Sequence, residues 1–306
     1  MKKNPHKINL FLIFYLILYL CLSLGGPIFF GSNTTNRIGQ FLPLVLGIFY
    51  LLYTRQPVLA TVKIRKFRPV TIVLTVLFTY CLWPLISIIN MLSMLFAQNH
   101  IDAVVNQTVT SSGFVYTLFT MALLPACLEE FTFRGIIYSQ YRNDRPIKAI
   151  LLSALCFGLM HMNFNQFCYA FILGIFLTLL LEASGSLILP MIMHFTFNGT
   201  SIALVYVQQK IRSALPDVYP DPGSSVTRSS ILATLPSMLP IAVVGCLIAF
   251  LLYYKIASIN GNWEEIRSWK DRPAYQKREN YKLTGIPFYA FVVICFLMCI
   301  MMEFIS

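Results

Sequence analysis

Charge is scarce in this chain of 306 residues: Asp, Glu, Lys and Arg together make up 11% of it. Soluble domains average roughly a quarter. That shortage, set against 57% apolar residues, excludes a water-soluble globular protein. Several chemical signatures are missing too. There is no Gly-rich phosphate loop, no His-Glu-x-x-His zinc motif and no convincing internal repeat. No serine or cysteine stands beside a histidine as a triad would require, which argues against a covalent nucleophile. The first apolar run follows lysines but lacks an Ala-x-Ala-like cleavage site, so it reads as a retained anchor.

What remains is a polytopic membrane protein. Apolar runs of about the 17 to 25 residues that span a bilayer fall near 8–30, 41–54, 70–97, 113–139, 147–163, 166–182, 187–207, 231–255 and 286–305. The expected fold is an all-α membrane bundle of eight or nine transmembrane helices. Residues 1–112 form an N-terminal scaffold, 113–207 the chemical core, and 208–306 the C-terminal helices with a basic loop. The polar stretch 98–113 suits an external loop.

The net charge of +11 does not point to nucleic acid, because the basic residues alternate between connecting segments. They cluster at Lys2–Lys7, Arg55–Arg68, Arg142–Lys148 and Lys255–Lys282. Of the 23, only Arg37, Arg134, Lys210, Arg212 and Arg228 fall elsewhere. By the positive-inside rule the N-terminus is expected in the cytoplasm. All eight cysteines lie in apolar runs and read as small buried hydrophobes. Glu182 and Glu303, at helix ends, are expected at the interface.

The polar residues inside the apolar runs carry the chemistry. Leu128-Glu129-Glu130-Phe131-Thr132-Phe133-Arg134 places three ionisable groups where each is expensive unless paired. Glu130 and Arg134, four apart, can meet on one helical face, whereas Glu129 is turned about 100° away and left available. His161 shares a face with Phe157, beside Gly158. His194 shares one with Asn198. Asn163, Asn165 and Gln166 follow His161 and suit either a wet entrance or a plain interhelical turn. Gathered together, Glu129, His161, His194 and Asn198 suit hydrolysis. A buried, unpaired carboxylate can act as general base on water, while histidines and an amide bind the oxyanion or hold a metal. Two histidines and a carboxylate would make a three-ligand metal site, but Glu129 could not easily serve as both ligand and base. One difficulty is depth: at 1.5 Å per residue Glu129 and His194 fall roughly 12–15 Å into the bundle and His161 nearer 20 Å.

Glu129-Glu130-x-x-x-Arg134, Phe157-x-x-x-His161 and His194-x-x-x-Asn198, in this order on separate helices, resemble the three motifs of the CPBP family. That family comprises the type II CAAX prenyl endopeptidases and the bacteriocin-processing or self-immunity (Abi) proteins. The resemblance covers about residues 113–207, and no motif position departs from it. It implies an intramembrane endopeptidase acting on peptides or membrane-anchored proteins in a bilayer. Glu129 would activate water, Glu130 and Arg134 would support it, and His161, His194 and Asn198 would complete the site. Zinc held by His161 and His194 and a metal-free glutamate mechanism are both compatible with it. Two other classes share these features: a silent immunity or adaptor protein on the same scaffold, and a proton-coupled transporter. The transporter lacks support from matched halves with broken helices.

Overall fold

The structure is a computed structural model that describes residues 5–142, 146–215, 227–269 and 282–305. Its elements are α1 (Pro5–Phe30), α2 (Ser32–Tyr53), the short α3 (Val58–Val62), α4 (Val70–Ser93) and α5 (His100–Ser112). The motif helix α6 (Phe114–Tyr141) follows, then α7 (Pro146–Leu159), α8 (Phe164–Ser184) and α9 (Ile188–Ala214). The last are α10 (Arg228–Ile259), the short α11 (Trp263–Arg267) and α12 (Ile286–Ile305). No strand occurs among the described residues. Eight helices are long and apolar enough to cross a membrane, so the chain is an integral, multi-pass membrane protein. Parts of the basic turn (143–145), of the expected external loop (216–226) and of the basic loop with Tyr275 and Tyr281 (270–281) lie outside the described residues.

The expectation for 147–163 needs correction. The helix there stops after 14 residues, about 21 Å at 1.5 Å per residue and short of a hydrocarbon core of about 30 Å. Met162 takes a left-handed conformation (φ 50°), and α8 starts at Phe164. The turn at 160–163 is therefore enclosed by protein, where non-helical backbone can be tolerated at membrane depth. His161 follows this helix directly and so stays about as deep as expected, yet it lines one cavity with Glu129. The stretch 98–113 is also corrected. It is largely the helix α5, whose N-terminus is capped by Asn99 Oδ1 accepting from the Asp102 N–H.

α8 is the axis of the bundle, with 56% of its apolar window buried against 11% for the peripheral α10. Long-range contacts fix which ends of the helices meet. Asn9 bonds both Tyr141 Oη and the Leu283 carbonyl, Arg68 N–H reaches Asn260 Oδ1, and Asn262 Nδ2 reaches the Ala183 carbonyl. At the other end Gln98 N–H donates to Glu303 and Gln209 to Asn106. The segments Lys63, Arg68, Arg142 and Arg267 that carry the basic excess thus gather at one end of the bundle.

Glu182 belongs to that end, as its helix-end position suggested, but it is enclosed rather than exposed. Its side chain is only 3% exposed, with Lys63 Nζ at 2.9 Å and Arg142 Nη2 at 2.6 Å. Burial pushes the Lys63 ammonium below the usual lysine range, and Glu182 pulls it back. For Arg142 burial acts in the same downward sense, but the hydrogen bond and charge of Glu182 outweigh it and hold the guanidinium above its ordinary value. The carboxylate is a buried staple joining α3, α6 and α8.

Candidate active site

α6 is wound unevenly. Phe119–Leu123 and Phe131–Tyr138 form wide π-helical turns on either side of an α-helical segment, Leu124–Glu130. Such π-turns are rare and concentrate at functional sites. The ordinary turn between them carries Pro125, Glu129 and Glu130. Pro125 has no N–H to offer the carbonyl four residues back, that of Met121. Asn198 Nδ2 on α9 donates to this oxygen at 3.2 Å. The amide of the third motif is therefore engaged by the backbone of the helix that carries the first.

The two adjacent carboxylates occupy different worlds. Glu130 is fully buried and paired with Arg134, Oε1 to Nη1 at 2.9 Å, both side chains 0% exposed. The guanidinium is held further by the Gly174 carbonyl at 3.1 Å and Thr178 Oγ1 at 3.4 Å, and it stacks 4.2 Å above the Phe157 ring. A Cβ at Gly174 would lie 3.0 Å from Arg134 Nη2, so a bare backbone there lets α8 approach the cation. Glu130 Oε1 also receives His194 Nδ1 at 2.9 Å. An ionised carboxylate only accepts, so Nδ1 carries the proton. Nε2 is left facing Glu129 Oε2 at 3.9 Å. That separation exceeds a direct hydrogen bond and suits a bridging water.

Glu129 is 29% exposed and opens on a cavity of about 290 Å³. His161 and Gln166 line the same cavity, with Pro125 and Met160. His161 Nδ1 donates to the Phe157 carbonyl at 2.9 Å, one of the oxygens left without a donor where α7 ends. Its Nε2 stays free of that bond. Phe157 stands edge-to-face with both imidazoles, at ring-centroid distances of 5.0 Å to His161 and 5.8 Å to His194.

The structure thus brings Glu129 and His161 to one cavity and sets His194 just behind Glu129, tied to Glu130 and Arg134. Asn198 is not among the cavity-lining residues. Gln166 lines the cavity, whereas Asn163 caps α8 by accepting from the Gln166 N–H, and Asn165 bonds Asn90 and Ser93 on α4.

Some of the site lies outside the motifs. Tyr15, Tyr19 and Ser23 of α1 and Thr35, Asn36 and Gln40 of α2 form the facing wall, although residues 1–112 read in sequence as plain scaffold. Single hydroxyls and amides in long apolar helices gave no signal of where they would point. Thr178 gave a weak one, as a lone polar residue in the middle of α8.

Among the described residues no three His, Cys, Asp or Glu side chains stand close enough together to hold a metal ion. The donors as placed do not form a three-ligand site.

Residues 111–200 match the model of the Rce1-like family, described as type II CAAX prenyl endopeptidase Rce1-like. The matched segment covers α6 to the middle of α9, including all three motifs, and supports the resemblance to the CPBP family. No curated protein and no solved structure matches the chain.

Proposed function

We propose that the protein is an intramembrane endopeptidase of the CAAX type, in which Glu129 activates the attacking water. The observation that carries this reading is the division between the carboxylates: Glu130 is sealed in an ion pair, while Glu129 faces the cavity beside His161. Water held by Glu129 adds to the scissile carbonyl carbon as its proton passes to the carboxylate. The C–N bond then breaks, and Glu129 returns that proton to the departing nitrogen. Neighbouring histidines have separate duties. His161 presents Nε2 to the cavity, where it orients the water or the leaving amine. His194 connects Glu129 to the fixed charges of Glu130 and Arg134, which keeps the base in place. The substrate is a peptide or membrane-anchored protein bearing a lipidated C-terminal segment, by analogy with the matched family.

The test is Glu129→Gln, which preserves size but removes the base. In a quenched fluorescent peptide ending in farnesylcysteine and three further residues, the expected loss is about 10²–10⁴-fold in rate with an unchanged melting temperature. Wild-type turnover by this variant would refute the assignment.

A further inference from the structure

The stretch between α2 and α4, residues 54–69, carries the cations Arg55, Lys63, Arg65, Lys66 and Arg68, and no acidic residue occurs in the chain before Asp102. A basic excess at one end of a bundle is ordinarily a topology signal. Here, however, the cations stand on a folded surface. Gln56 and Gln140 exchange side-chain hydrogen bonds, the Lys63 carbonyl accepts the Leu187 N–H at 3.1 Å, Phe67 packs against the core, and Arg68 N–H donates to Asn260. Arg55 and Lys63 both take the left-handed conformation (φ 53°), which a non-glycine residue keeps only where its surroundings hold it. Two cations at this end are neutralised from within: Lys63 and Arg142 share Glu182, and Arg142 also reaches Glu265. Arg55, Arg65, Lys66 and Arg68 are exposed, and among the described residues none of them has a carboxylate within ion-pair distance. Apolar side chains stand exposed beside them. In α3 Thr61 and Val62 face the core, whereas Leu59 is 71% exposed and Ile64, just beyond the helix, 49%.

We propose that residues 54–69 are a binding surface for anionic phospholipid headgroups, with Arg65, Lys66 and Arg68 taking the phosphate and Leu59 and Ile64 entering the acyl region. Charge and position together choose the occupant. The segment joins two membrane-spanning helices, so it lies at the level of the headgroups, where apolar burial and attraction to anionic lipid act together. A guanidinium grips phosphate oxygens in pairs, and the lysine adds a point charge. The inner side of the same segment bears on the motif helix. A Cβ at Gly135 would lie 3.0 Å from Val62 Cγ1, and Gly135 belongs to the π-helical turn that also carries Arg134. Lipid that binds the folded linker and not the unfolded chain therefore stabilises the protein by mass action, at a place directly behind the candidate site.

The experiment titrates the purified full chain in zwitterionic detergent with dioleoylphosphatidylglycerol, dioleoylphosphatidylcholine or inorganic phosphate, counts retained lipid by native mass spectrometry and follows the melting temperature. Phosphatidylglycerol alone is expected to be retained and to raise the melting temperature, less so in high salt. Near an anionic surface each Lys or Arg contributes about fivefold in affinity, so Arg65→Gln, Lys66→Gln and Arg68→Gln together should weaken retention by about 10²-fold. A control that loses the same charge elsewhere at this end, Lys148→Gln with Arg267→Gln and Lys282→Gln, should bind nearly as well as wild type. Should the triple linker variant not fold, Arg65→Gln and Lys66→Gln singly, each expected to lose about fivefold, decide the matter. Undiminished binding by the linker variants, an equal loss in the control, or the same shift from phosphatidylcholine or inorganic phosphate would overturn the assignment. Binding is read without cleavage, so neither result bears on the role of Glu129.

Discussion

Replacing Glu130 by glutamine tests whether that carboxylate braces the site rather than performs the chemistry. The change conserves shape but removes the carboxylate paired with Arg134, whose side chain is 0% exposed. The Gly174 carbonyl, Thr178 and the Phe157 ring remain, but none carries a compensating charge. Breaking one partner of a buried pair costs about 3–5 kcal/mol, because the survivor keeps its desolvation penalty. At roughly 2–4 °C per kcal/mol for a larger domain, the melting temperature in detergent should fall by about 6–20 °C. Activity should fall as well, since Glu130 Oε1 also fixes His194. A double variant, Glu130→Gln with Arg134→Met, separates the two effects. Removing both charges should restore most of the melting temperature, while the glutamine oxygen accepts the His194 Nδ1–H without the carboxylate's charge, so cleavage stays below wild type. If Glu130→Gln melts like wild type, the brace reading is wrong. If the double variant recovers cleavage along with stability, His194 does not depend on Glu130.

Two further outcomes follow from particular contacts. Cleavage of the farnesylated peptide is expected to persist after exhaustive chelation, with substoichiometric zinc by elemental analysis, because no three ligating side chains converge among the described residues; reversible loss on chelation would restore the metal reading. Gly245→Ala is expected to lower the melting temperature by an amount worth about 1–3 kcal/mol while correctly folded protein keeps its kcat. The added Cβ would meet the Cys81 carbonyl where α10 rests on α4, away from the Glu129 cavity, and an unchanged melting temperature would show that the pair slides apart freely.

The sequence made the class and the brace legible, and left the walls of the site unread. Eight of the nine expected apolar segments are long helices, because hydropathy over 20 residues is dictated by the lipid. Glu130 and Arg134 could be paired by spacing alone, since a helix brings residues four apart together. The turn after α7 was legible in its asparagines, but where the helix stops was not: Met160, His161 and Met162 continue an apolar run, and neither glycine nor proline stands among them. The link from Glu130 to His194 joins residues 64 apart and exists only through tertiary packing. Pro125 was the overlooked clue. A proline inside a helix leaves a carbonyl one turn back in need of a donor, and one N–H of the Asn198 amide supplies it. Glu182 does lie at a helix end, but a helix-end position says nothing about whether two cations will close over it.

The short α7 has a consequence for how the protein is made. A 14-residue apolar helix is too brief to settle across a bilayer as an independent segment, and its far end carries an imidazole and unpaired backbone groups into the hydrocarbon. During synthesis it gains a stable position only when α8 arrives to cover the turn and α9 brings His194 beside Glu130. The nascent chain can therefore hold α1 to α6 in the membrane with both glutamates in place and still have no assembled centre. The candidate site is thus completed late in biogenesis, once the chain has been made through α9.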